Sequence, residues 1–422
     1  MSKGDGWREC VLEEVAEIIV SNVDKKTIMG ETPVRLCNYM DVYSNDYISK
    51  PLDFMEATAT LIEIKRFAIE TGDVIITKDS ETPDDIGIPS VVTGSFSNLI
   101  CGYHLALLKP KKAIIDPVFL SKMISSPQIA SYYGKIASGS TRFGLSNSGI
   151  AKTPLTIPPL PQQRKIAKIL TTVDNLIEKT EALIAKYQSI KQGMMHDLFT
   201  RGVDAKGKLR PPQSEAPELY KQSELGWIPK EWEVERLVDA SDFLDGKRVP
   251  LKQEVRDLIE GEYPYYGASG IIDFINDYIF DDELILVGED GENVISRNLP
   301  LAFKVTGKCW VNNHAHVLKP HKNVDIDYLT EFLEALDYKN IVSGSAQPKI
   351  NQQKLAKTMV VLPTLIEQIR ISKLLCNISL NIKNEVLNHF KMQFLKTALM
   401  QDLLTGKVQV TPDAEDKELA HA

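Results

Sequence analysis

The second half of this chain repeats the first in a fixed register over its most regular stretch. Gly139-Ser140 returns as Gly344-Ser345, and Ala151-Lys152-Thr153 as Ala356-Lys357-Thr358. Pro158, Gln163, Ile166, Lys168 and Leu170 return as Pro363, Gln368, Ile371, Lys373 and Leu375, and Met195, Asp197-Leu198 and Thr200 as Met400, Asp402-Leu403 and Thr405. Each pair is 205 positions apart. A gapless match over so long a stretch means two copies of one architectural unit. Upstream the offset drifts: Trp7 and Leu12 answer to Trp232 and Leu237, while His104 and Leu108-Lys109-Pro110 answer to His314 and Leu318-Lys319-Pro320. A fixed scaffold with two divergent heads is the arrangement that such a division predicts.

The local pattern agrees. In the heads, short apolar runs such as 73–77 and 283–287 alternate with Gly/Asn/Asp-rich stretches, which predicts strands. Helical segments are expected around 117–135 and 327–342. Beyond the prolines at 154, 158, 159 and 161, and beyond Pro363, apolar residues recur three and four apart. In the first copy they run through Ile166, Leu170, Val173, Ile177, Ile184, Tyr187, Met194 and Leu198; in the second, through Ile371, Leu375, Ile378, Ile382, Val386, Phe390, Phe394 and Leu403. That spacing is a coiled-coil seam. Two such helices in one chain are expected to pack antiparallel, because each leaves one head and approaches the other. The expected fold is α+β: two similar globular α/β domains on two long antiparallel coiled-coil helices, related by a pseudo-twofold internal repeat. The divisions are a first head (1–157), a central helix (158–202), a Pro/Gly-rich linker (203–225), a second head (226–362), a distal helix (363–408) and a disordered tail (409–422).

Composition narrows the class. With 43% hydrophobic and 25% charged residues the chain reads as globular, and its start, MSKGDGWREC, lacks the basic-then-apolar pattern of a signal peptide, so a cytoplasmic location is expected. The five cysteines (Cys10, Cys37, Cys101, Cys309, Cys376) are scattered without a C-x-x-C pair and are expected to be buried free thiols. Net charge is −8. Only residues 151–210 are basic, with 11 Lys+Arg against 5 Asp+Glu; residues 211–360 carry 16 against 26. A chain of this kind grips phosphate weakly unless partners add positive charge.

Catalytic motifs are absent from the sequence. It has no G-x-x-x-x-G-K-[ST] phosphate cradle and no N-P-P-Y or D-P-P-Y run. The acids at 281–283 and 289–292 have no counterpart in the first copy and read as solvated turns. His314 and His316 would share one face of a strand, but no third metal ligand accompanies them. The expectation is a chain with no active site, no metal and no cofactor of its own.

The phrases P-P-L-P-Q-Q-R-K-I-A-K-I-L from Pro158, L-P-T-L-I-E-Q-I-R-I-S-K-L-L from Leu362 and S-E-L-G-W-I-P-K-E-W-E-V from Ser223 resemble the conserved regions of type I restriction-modification specificity (S) subunits. The resemblance covers nearly the whole chain. It implies one DNA target-recognition domain per head, each reading half of a bipartite asymmetric site, with the helices fixing the spacing. It also implies two modification (methyltransferase) subunits and helicase-nuclease restriction subunits as partners, which would hold the S-adenosylmethionine, ATP and Mg. A non-catalytic two-headed scaffold that binds proteins rather than DNA is the alternative consistent with the acidity.

Direct readout of bases favours Arg, Lys, Asn, Gln, Ser and Thr on loops. The candidates in the first head are Lys78, Ser80, Ser140, Thr141 and Arg142. Those in the second are Lys247, Arg248, Tyr265, Tyr266, Arg297, Asn312, Asn313, His314, Gln347 and Lys349.

Overall fold

The computed structural model describes residues 6–24, 26–49, 52–344 and 348–413. The chain divides into two compact units, one built from residues 1–180 and 388–422, the other from 181–387. Two long helices, Leu160–Thr200 of 41 residues and Leu365–Leu404 of 40, each contribute one half to each unit.

In the first unit the head is a five-stranded sheet in the order Ala16–Val20, Leu105–Pro110, Val74–Thr77, Pro89–Val92 and Tyr47–Ile48. A three-stranded sheet (Met55–Ala59, Thr32–Cys37, Leu99–Cys101) lies beside it. Alternate residues of the central strands feed two cores. Val74, Ile76, Ala106 and Leu108 join one that includes the long helices, while Ile75, Leu105 and Leu107 join the other against the small sheet. Burial on both faces is why these strands read as unbroken apolar runs.

The second unit repeats the plan. Its six-stranded sheet runs Ser241–Phe243, Ala315–Pro320, Phe280–Gly288, Ala302–Val311, Glu260–Gly267, Gly270–Ile275. Ile285, Val287 and Leu318 face the core shared with the helices; Leu284, Leu286 and Val317 face the opposite one. The segment expected to be helical over 117–135 is two helices, Pro117–Ile124 and Pro127–Ile136, broken where Pro127 starts a new first turn. The segment expected over 327–342 is helical only through Ile326–Ala335.

Each head is clamped at its base. Arg8–Val11 pairs antiparallel with Pro154–Ile157, and Glu233–Arg236 with Met359–Leu362, so the start of each head meets the root of the helix that follows it. One glutamine per copy then locks head to helix. The buried Gln163 amide donates to the carbonyls of Pro158 (2.8 Å) and Ile114 (3.1 Å) and accepts from Asp116 N–H (2.9 Å). Gln368 does the same with Pro363 (2.8 Å), Asn323 (3.3 Å) and Asp325 N–H (2.8 Å). Asp116 and Asp325 in turn cap the N-termini of the head helices.

The far end of the opposite long helix completes each core. Leu403 and Leu404 pack in the first unit with Ile166 and Leu170; Leu198 and Phe199 pack in the second with Ile371 and Leu375. The two helices therefore run antiparallel within each unit. They end at Gly202 (φ +61°) and Gly406 (φ +72°), left-handed positions that glycine fills without strain, each against a tryptophan of a head, Trp232 and Trp7.

Three features differ from the pattern of the sequence. Phe390 and Phe394, placed on the seam by their spacing, are more than half exposed, as is Leu380, because a two-helix contact buries one narrow stripe. The linker is ordered over much of its length: Arg210 bonds Glu367 at 2.5 and 3.0 Å, Glu367 also accepts from Trp232 Nε1 at 3.1 Å, and Tyr220–Ser223 pairs with Gly226–Pro229. Cys10, Cys37, Cys101 and Cys309 are buried, with the Cys309 thiol pushed up to about 11 by burial, but Cys376 is exposed on the second long helix. In the expected tail, residues 414–422 lie outside the described residues.

Candidate nucleic-acid interface

At one end of the first head, the strand Val74–Thr77 runs on into Lys78 and the short strand Asp79–Ser80, which pairs with Phe143–Gly144. Leu145 N–H donates to the Lys78 carbonyl (2.9 Å), and a bridge between Ser138 and Gly144 closes the turn carrying Ser140, Thr141 and Arg142. The turn thus stands opposite Asp79–Ser80. Between them lies a cleft of 920 Å³ lined by Tyr39, Tyr43, Asp79, Ser80, Glu81, Thr82, Asp85, Thr141 and Arg142. Tyr39 and Tyr43 stack at 5.6 Å, and Tyr43 Oη donates to Asp85 (2.9 Å). Burial, then the nearby Asp85, raises the Tyr39 hydroxyl above its ordinary value, so it stays a neutral donor.

Of the five candidates in this head, Ser80, Thr141 and Arg142 line the cleft, exposed Ser140 adjoins it, and half-buried Lys78 precedes Asp79 at its rim. The lining holds three carboxylates against one guanidinium. Such a surface repels phosphate but suits base edges, where carboxylates accept from cytosine amino groups and Arg donates to guanine.

The second head builds the same end from different residues. Ile350 N–H donates to the Glu289 carbonyl (2.7 Å), and Asp290 bridges Lys349. The side chains here are more tightly tied. Arg248 bonds Glu289 (2.6 Å) and the Ala315 carbonyl (2.8 Å), and Lys349 reaches the other Glu289 oxygen (2.9 Å). Burial pushes the Glu289 carboxyl up, but hydrogen bonds from Lys349 and Arg248 outweigh it and hold the group below its ordinary value. His316 is buried with both ring nitrogens engaged, Nδ1 with Asp245 (2.6 Å) and Nε2 with the Ile350 carbonyl (3.0 Å).

The remaining candidates of this head scatter. Lys247 and Asn313 are exposed, and His314 sits beside Asp290. Tyr265 lies in the core rather than at a surface, its hydroxyl accepting from Leu251 N–H (2.9 Å) under the Arg256 guanidinium, and Tyr266 is half-buried. Asn312 is buried and caps His314 N–H (2.8 Å). Arg297 is held away from this end by Glu334 and the Tyr338 ring. Gln347 lies outside the described residues.

Sequence reasoning gave Asp79 no role and read Asp290 as part of a solvated turn. Each accepts from the Nδ1 of a histidine at an equivalent point, His104 (2.5 Å) and His314 (2.9 Å). The backbone repeats too: Lys78 N–H donates to the His104 carbonyl and Glu289 N–H to the His314 carbonyl, both at 2.8 Å. The sequence signal was present in the matched His104 and His314, but the loops between them and the aspartates differ in length. Among the described residues, no group of three or more His, Cys, Asp or Glu side chains is placed to hold a metal ion.

Comparison with known proteins converges on one family. The family model described as the type I restriction modification DNA specificity domain matches residues 4–187 and again 229–392. A putative type I restriction enzyme MjaX specificity subunit of Methanocaldococcus jannaschii is 28% identical over 96% of this chain and 94% of its own length. The MjaVIII specificity subunit of the same organism is 24% identical over 91% of each. The crystal structure of a type I restriction-modification S subunit from M. genitalium superposes with a TM-score of 0.61 at 14% identity, covering 94% of this chain and 96% of that one, which speaks for the fold. With both heads and most of both helices inside the two matches, this chain belongs to the type I restriction-modification DNA specificity family.

Proposed function

We propose that this chain, a non-catalytic DNA-specificity subunit, reads a bipartite asymmetric site, one half with each head. The observation that carries this is the repeated end of the two heads: the same backbone frame displays Lys78, Ser80, Thr141 and Arg142 in one and Glu289, His314 and Lys349 in the other. One fold that shows two different sets of base-reading groups suits two unlike half-sites. The long helices set the distance between half-sites. At 1.5 Å per residue, a 41-residue helix is roughly 60 Å long.

The chemistry belongs to partners. Two modification subunits carry S-adenosylmethionine and methylate adenine, and restriction subunits with ATP and Mg join for cleavage. These partners add the positive charge that a net −8 chain lacks for holding phosphate. Exposed Phe390 and Phe394 on the second long helix favour association, since exposed large aromatics on a helix mark surfaces that another protein covers.

The test is to co-express the chain with its modification subunit and map methylated adenines by sequencing. A single motif of two unlike halves separated by a fixed non-specific spacer is expected. Replacing residues 6–157 with the first head of another family member should change one half and leave the other. No bipartite motif, or a motif indifferent to the exchange, rejects the reading.

A further inference from the structure

The two heads have diverged in loop length, charge and sheet content, yet both keep a histidine whose Nδ1 faces a carboxylate at the end of the central strands. His104 with Asp79 and His314 with Asp290 occupy the same step of the fold, each histidine carbonyl accepting from the residue just before its aspartate. A carboxylate only accepts, so Nδ1 must carry a proton and Nε2 of the neutral ring is left with its lone pair. That nitrogen makes no hydrogen bond to any described residue in either head, and the side chains are 25% and 47% exposed. His316, two residues beyond His314, shows what a purely structural histidine looks like here, with both nitrogens engaged and 1% of its side chain exposed. His104 moreover holds φ at +71°, backbone that a residue with a side chain adopts at a cost.

We propose that His104 and His314 are equivalent base-reading positions, each presenting an Nε2 acceptor, fixed by its aspartate, to the exocyclic amino group of an adenine or cytosine. The assignment rests on the reading of the heads as DNA readers. Asp79 and Asp290 are positioning residues: they set the tautomer and ring angle without touching the base. In the major groove adenine N6 and cytosine N4 are the amino donors, so an acceptor at this point selects against guanine O6 and thymine O4. Neighbouring groups then give each half its own sequence, Arg142 and Thr141 in the first head, Lys349 in the second.

The test uses the full chain in complex with its modification subunit and a fluorescent duplex carrying the mapped site. Adenines are replaced one at a time by purine and cytosines by pyrimidin-2-one, each lacking only the amino group. In the wild type, one position per half-site should lose about tenfold in affinity, the scale of one direct hydrogen bond. His104→Ala should cost a similar factor on the unmodified duplex. It should be indifferent to the analogue at the first-head position and keep full sensitivity at the second; His314→Ala should behave conversely. His104→Phe and His314→Phe, which keep the ring volume, replace any alanine variant that fails to fold. Analogue losses of equal size in wild type and variants would assign the pairs to stapling strand ends and overturn the proposal while leaving DNA reading intact. A wild-type complex that binds the site no better than a scrambled duplex overturns both.

Discussion

Lys122 carries its charge into a nearly closed environment, its side chain 4% exposed, where Asp46 (2.9 Å) and Asp174 (2.8 Å) receive it. Asp174, on the first long helix, also accepts from Tyr47 Oη (2.7 Å) and pairs with Lys396 of the second (2.8 Å). The second unit has a counterpart of reversed sign: Glu331 on the head helix faces Lys191 (2.8 Å) and Ser379 (3.4 Å). Lys191 and Lys396, and Asp174 and Ser379, are each 205 apart, so the helices kept the positions while the head residue changed from base to acid. Asp174→Ala leaves Lys122 with Asp46 alone, and we expect the first unit to lose about 1.5–3 kcal/mol, read as a lowered calorimetric transition. Burial raises the Asp174 carboxyl, but Lys122 and Lys396 pull it further down, so it ends below its ordinary 3.8. A depressed acid contributes fully above its unfolded value and loses that contribution as pH falls through the folded one. The variant's deficit should therefore be constant from pH 8 to pH 5 and shrink below about pH 4. At this scale the sequence exposed the matched glutamines, Gln163 and Gln368, as a repeated pair, but not their three hydrogen bonds each, because the partners are main-chain groups. It also offered Tyr265 and Asn312 as readers, because polar atoms in turn-rich segments look alike whether they face solvent or backbone.

The long helices were the most legible elements, since a three-four spacing sustained over ten turns has few physical readings. What spacing does not reveal is how many neighbours a stripe has. Phe390 and Phe394 fit the seam by number but find no helix to cover them among the described residues. The boundary between compact units falls after Thr180 on one helix and after Leu387 on the other, away from the glutamine locks and the charge clusters. Inserting four residues near Thr180 together with four near Glu385 adds roughly 6 Å to each helix, slightly more than one turn. We expect both half-sites to persist and the spacer to lengthen in the methylation motif. Altered half-sites with an unchanged spacer would mean that the helices do not set the distance.

At the scale of the whole molecule, the repeat in sequence became a repeat in structure, and the expected approach of each long helix to the other head goes as far as finishing that head's core. Burying Leu403 and Leu404 with the first head stabilises it by about 1.5–3 kcal/mol per side chain. Ending the chain at Leu387 keeps all of unit two and all of the first head's own sequence. It should nevertheless abolish the first unit's thermal transition and open residues 6–157 to proteolysis, while 181–387 stays protected. Equal protection of both segments would contradict this. The acidic balance read from the sequence recurs in the cleft of the first head, where three carboxylates face one arginine.

The packing of Leu403 and Leu404 also sets a schedule for synthesis. The head that leaves the ribosome first waits for residues made after the whole of the second head, so its core is completed only once the second long helix has emerged. A product terminated before Leu403 then lacks the side chains that finish the first core. Completion of the first core is thereby tied to the order of the chain.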